Sequence, residues 1–158
     1  MTFTRPIMMG LTAALVAGST VLAASHVNVE GAVKARQSHM QLYAFNIGIL
    51  GNMAKGEVDF DAASAQAAAD NLAALAKIDQ SAYWPAGSST EDGLEVKTRA
   101  LPAIWESDSD IGTKITNLVE ATEAMAADAA TLEGVQANMR SLGGACGGCH
   151  EDYRQSDN

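Results

Sequence analysis

Basic residues are scarce in this 158-residue chain. Ten Lys and Arg stand against nineteen Asp and Glu, a formal charge of −9 at pH 7. That imbalance excludes a surface built for nucleic acid or anionic lipid, since both recruit positive charge. It points instead to any protein partner offering a basic patch. Aromatic residues make up only 5%, β-branched runs are missing, and no segment sustains two-residue alternation. No strand is therefore expected. Catalytic patterns are missing as well: there is no Ser/His/Asp set, no nucleotide-binding loop and no carboxylate pair in an evident apolar cleft.

Long apolar runs are missing too. Ile7 to Ala17 is apolar, but it is shorter than the roughly 20 residues a spanning helix requires. It follows the positive Arg5 and leads to the small-residue pattern Val21-Leu22-Ala23. That order is the anatomy of a secretory signal peptide. Residues 1–23 are therefore expected to be removed on export, and residues 24–158 to form one domain with a single core. Losing Arg5 makes the mature chain one unit more acidic.

The remainder is rich in alanine and reads as four amphipathic helices. The first runs from about Val29 to Ala54, with Val33, Met40, Ala44, Ile47 and Leu50 as its apolar face and Gly56 as its stop. Asp59 or Asp61 caps the second, Ala62 to Ile78, which turns Ala65, Ala69, Leu72, Ala73 and Ala76 inward. A long connection from Asp79 to about Ser107 holds both tryptophans and two of the three prolines, Pro85 and Pro102. A loop of that length covers something or does something. Asp108 or Asp110 opens the third helix, whose face is Ile111, Ile115, Leu118, Ala121, Met125 and Ala129. Thr131 caps the fourth, which continues to about Arg154. Along it Leu132, Val135, Met139, Leu142, Cys146, Cys149 and Tyr153 alternate three- and four-residue steps, the seam of a bundle helix. Two short links and one long crossover imply an all-α, antiparallel four-helix bundle.

The chain's two cysteines both lie in Cys146-Gly147-Gly148-Cys149-His150. Cys-x-x-Cys-His is the attachment signature of a c-type haem. Cysteines three apart project from one helical face and can each form a thioether with a haem vinyl group. His150 then supplies an axial nitrogen to the iron. One covalent haem c per chain is expected, and such attachment in bacteria takes place outside the cytoplasm, in agreement with the leader. Two other readings of the motif exist. A thiol-redox pair needs a thioredoxin-like setting of alternating strands and helices. A zinc site needs four ligands, and the mature chain adds only His26 and His39, the latter read as a surface residue.

With the motif at the far end of the chain, the residues match a family. The sequence resembles cytochrome c′, the four-helix-bundle class of c-type cytochromes. The matching segments are Val33 to Met40, Gly51 to Glu57, Trp84-Pro85-Ala86-Gly87, Thr98 to Trp105 and Cys146 to Arg154. The resemblance implies that Met40 covers the distal haem face, that Arg36 contacts a haem propionate, and that Arg154 is a cation beside the proximal His150. It implies a periplasmic homodimer, acting in electron transfer or in binding nitric oxide and carbon monoxide, and no enzyme. Two branches of that family differ at the sixth iron position. One leaves it open, giving a five-coordinate, high-spin haem. The other ligates it with a first-helix methionine, giving a low-spin electron carrier. Met40 fits both, because a thioether ligates haem and a seam methionine also serves as a flexible core filler. The open site is the favoured expectation.

Overall fold

The computed structural model describes residues 28–156, and the expected leader lies outside them. Four helices follow in order: α1 (Val29–Lys55), α2 (Ala62–Lys77), α3 (Ile111–Asp128) and α4 (Leu132–Tyr153). They form the antiparallel bundle the sequence implied. Between α2 and α3 the crossover contains two short 3₁₀ turns, Ser81–Tyr83 and Pro102–Trp105.

Local chemistry explains where the helices begin and end. The side chains of Asn28, Asp61 and Thr131 each accept a hydrogen bond from the free N–H three residues on, at Gly31, Ser64 and Gly134. Of the two candidates for capping α2, Asp61 is the one used. Gly56 stops α1 at φ 72°, where its N–H closes back on Met53.

The core runs between all four helices: Leu50 and Met53 of α1, Leu72 and its alanines of α2, Met125 of α3, Val135 and Leu142 of α4. A second, smaller cluster lies under the crossover. There Ala100, Ile104 and Tyr153 are buried, with Trp84, Trp105, Ile111 and Cys149 packed against them. The seam expected on α4 is the one observed.

On α1 the expected face needs correction. Val33 and Leu50 are buried, but Met40 is 36% exposed and Ala44 is also exposed. The residues that turn inward are Arg36, His39, Tyr43 and Asn46, together with Leu50 and Met53. His39, expected at the surface, is only 5% exposed. Two of these polar groups, Arg36 and Asn46, are met inside by hydrogen-bond partners. Asn46, for example, accepts from the Asn71 side chain of α2 and donates to the Leu42 carbonyl of its own helix. On α3, Ile115 likewise points to solvent rather than into the core.

The short α3–α4 link depends on one glycine. A Cβ at Gly134 would lie 2.0 Å from the Asp128 carbonyl oxygen, whereas one at exposed Gly112 of α3 would meet nothing within 4 Å. Gly134→Ala is therefore expected to destabilise the protein by about 3 kcal/mol, as overpacking does. Gly112→Ala should instead stabilise it by up to about 1 kcal/mol through helix propensity. Chemical denaturation of the two variants against wild type checks the opposite signs.

Candidate haem site

The last two turns of α4 carry Cys146, Cys149 and His150. Both cysteines are partly buried on the seam. Burial pushes both thiols above the usual cysteine range. For Cys149 the Lys114 ammonium pulls back against that rise, while Cys146, Asp152 and Asp110 add to it. The His150 imidazole is pushed below its ordinary range, first by desolvation and then by the charges of Arg154 and Arg99. Such a histidine is neutral at pH 7 and offers a nitrogen lone pair.

Three sets of contacts hold this helix end in place. The first is backbone pairing beyond α4: Leu101 N–H donates to the Tyr153 carbonyl at 3.0 Å, and Gln155 N–H to the Arg99 carbonyl at 2.8 Å. Arg99 adds its Nε and Nη2 to the Gln155 carbonyl, at 2.9 and 2.5 Å. The second is the Tyr153 hydroxyl, which donates to Asp110 Oδ1 at 2.6 Å and accepts from Asp110 N–H at 2.8 Å. The third is Lys114, which pairs with Asp152 at 2.7 Å and Asp110 at 3.6 Å. The start of α3, the crossover and the end of α4 thus meet around His150.

On the facing helix, Arg36 is only 3% exposed. Its Nη1 donates to the Ser88 hydroxyl at 2.7 Å and the Tyr83 carbonyl at 3.4 Å. Its Nη2 donates to the Ser88 carbonyl at 2.5 Å and the Thr98 hydroxyl at 2.6 Å. The Trp84 ring lies 4.9 Å from the guanidinium carbon, a cation–π contact. Gln37 joins the same clamp by donating to the Lys97 carbonyl at 2.6 Å. Arg36 therefore ties the crossover to α1, a role its place on a helix did not reveal. Every one of those acceptors is neutral, and no Asp or Glu pairs with this guanidinium among the described residues.

Two buried polar atoms among the described residues have no hydrogen-bond partner, His39 Nε2 and Tyr43 Oη. Their rings meet edge to face at 4.9 Å. The Tyr43 hydroxyl is pushed up to about 12 by burial, with the Gln80 side chain pulling it back and Cys146 adding to the rise. It stays protonated at neutral pH and remains a donor.

The donor set fits a haem c. Two thiols three residues apart share a helical face, and a neutral imidazole follows at once. A buried guanidinium without a carboxylate, and a buried hydroxyl without a partner, stand on the helix opposite. The structure gathers Cys146, Cys149, His150 and Arg154 at one helix end, and places Met40 at the margin of the buried face of α1. Sequence reasoning missed Arg99 and Lys114 beside the motif, and His39 and Tyr43 on α1. Arg99 lies within the segment Thr98 to Trp105 that carried the resemblance, but nothing local to it showed that the chain end would pair there.

An all-α bundle with a haem-attachment motif closing its last helix defines a class of c-type haem protein. The family profile of cytochrome C′ matches residues 31–154. Cytochrome c-554 of Cereibacter sphaeroides is 43% identical over 155 residues, covering 97% of this chain and 99% of that protein. Cytochrome c′ of the same organism is 38% identical over 153 residues, covering 95% and 97%. Among solved structures, cytochrome c′ from Thermochromatium tepidum superposes with a TM-score of 0.73 at 31% identity, over 81% of this chain and 97% of that one. A cytochrome c′ described as having an unusual ligand-controlled dimer dissociation gives a TM-score of 0.74 at 29% identity, over 81% and 97%. The chain belongs to the cytochrome c′ family, and its cofactor is a single covalent haem c. The thiol-redox reading of the motif gives way to that assignment.

Proposed function

We propose that this chain is an exported, periplasmic haem protein whose iron is five-coordinate and high-spin, serving electron transfer or the binding of nitric oxide and carbon monoxide, with no catalytic turnover. The observation that carries the proposal is the arrangement at the end of α4. Cys146 and Cys149 lie on the seam as the two thioether residues, and His150 follows as the axial ligand, its imidazole kept neutral by desolvation and by Arg154 and Arg99. The haem, when bound, supplies a one-electron redox centre with an open coordination position. Arg154 is the cation of the proximal side. The buried charge of Arg36 is complemented by a haem propionate.

Export accounts for residues 1–23 as a signal peptide. No described helix is long and apolar enough to cross a membrane. Leu42 and Phe45 are 51% and 68% exposed on the outer side of α1. A patch of that kind supports self-association through α1, and a homodimer is the proposed assembly. The acidic surface favours a redox partner with a basic docking patch.

Whether Met40 ligates the iron decides between the open site and a low-spin carrier. The open site is the reading adopted for Met40 because a methionine on a bundle seam serves as a flexible core filler without ligating. The ferrous protein is then expected to be high-spin at neutral pH and to take up carbon monoxide directly. Met40→Leu, nearly conserving volume, should change affinity only through packing. A low-spin wild type that this one change turns high-spin would overturn the proposal in favour of His/Met coordination.

A further inference from the structure

Tyr43 carries more than packing requires. A phenylalanine would fill the same space, yet its hydroxyl is brought inside, 5% exposed, with the Gln80 side chain beside it and no acceptor within hydrogen-bond geometry for its proton. Native proteins rarely leave such an atom unpaired, because its desolvation goes uncompensated. His39, the other orphan, is held on the crossover side of α1, its ring between Tyr43 and Tyr83 at 4.9 and 5.9 Å. Tyr43 is placed differently. It follows Met40 by three residues, so the two project from neighbouring positions on one side of α1. It belongs to the core cluster against which Ala145 of α4, the neighbour of Cys146, packs, and the Gln80 side chain stands beside its hydroxyl. Tyr43 therefore belongs to the part of α1 that faces the haem-bearing end of α4.

We propose that the Tyr43 hydroxyl is the hydrogen-bond donor of the gas-binding side, accepting from the Gln80 amide and donating to a diatomic ligand bound opposite His150. A hydroxyl can do both at once, since it has one donor and two lone pairs. The pocket then discriminates among gases by polarity as well as by size. A ligand whose outer atom gains negative charge on binding is held by the hydroxyl, and a poor acceptor is held less. This inference rests on the open sixth position proposed above.

The test is the ferrous carbon monoxide complex of the intact holoprotein, wild type against Tyr43→Phe. Retained haem absorbance confirms that the variant folds and is loaded. A donor aimed at the bound ligand lowers the C–O stretching frequency, so the Phe variant should shift that infrared band upward. It should also lose carbon monoxide about two- to tenfold faster, the range one ordinary hydrogen bond covers. Gln80→Leu should move the band the same way by less. An unchanged band and off-rate in Tyr43→Phe would overturn the inference while leaving the open site intact. A wild type that excludes carbon monoxide would sink the open site instead. The Tyr43 comparison is then made in the Met40→Leu background, where an unshifted band overturns it equally.

Discussion

Arg36→Ala is expected to destabilise the holoprotein by about 3 kcal/mol, the scale of losing a buried hydrogen-bond network. The substitution removes four hydrogen bonds and a cation–π contact at a site that is 3% exposed. It also leaves the Ser88 and Tyr83 carbonyls without their donor, and a buried acceptor left unpaired costs about 1–3 kcal/mol. The loss should fall on the crossover first, so hydrogen exchange at residues 83–98 should rise before the helices respond. Arg36→Lys should recover only a small part, since one ammonium cannot reach both Ser88 and Thr98 as a planar fork does. Denaturant titration measures the stability. The reduction potential gives a second, separable readout. A cation beside a haem propionate favours the reduced form, so Arg36→Ala should lower the potential. A less stable protein with an unchanged potential would make Arg36 a crossover clamp alone.

Replacing both Cys146 and Cys149 with serine should abolish covalent haem and with it the cooperative fold. Serine forms no thioether, so a denaturing gel stained for haem should show no band, while Cys149→Ser alone leaves at most one attachment. The structural consequence follows from the composition of this helix end. Gly143, Gly144, Gly147 and Gly148 sit around the cysteines, and a Cβ at the first three would meet nothing within 4 Å. Each glycine costs a helix about 1 kcal/mol relative to alanine, and no packing contact accounts for those three. This stretch has little tendency to remain helical without the cofactor lying against it. The double variant should therefore melt without a sharp transition when followed by circular dichroism. A wild-type-like melt would show that the haem contributes nothing to the fold.

Much of this was legible before any coordinates. The α4 seam from Leu132 to Tyr153 could be read because its apolar residues recur at helical spacing and nothing polar interrupts them. The attachment motif could be read because its chemistry is contiguous, with two thiols and an imidazole inside five residues. The cap Thr131 was legible for the same reason, since it acts on an N–H three residues away, and Asp61 was one of two candidates with Asp59. On α1 the apolar pattern misled. It chose Met40 and Ala44 for the core, where the fold buries Arg36, His39 and Tyr43.

What the sequence by itself determined is the set of helices, the α4 face and the Cys-x-x-Cys-His motif, all consequences of interactions within a turn or two of chain. Only the tertiary structure decided which polar groups of α1 go inside, which aspartate receives Tyr153, and that Arg99 holds the chain end beside His150. Burying a polar group is tolerable only where a partner meets it. For Arg36 those partners lie 47 to 62 residues away, and for Arg99 the partner is the carbonyl of Gln155, 56 residues on. A pattern of spacing along one helix carries no record of contacts at that range, so that part of the site appears only once the crossover has folded back across the bundle.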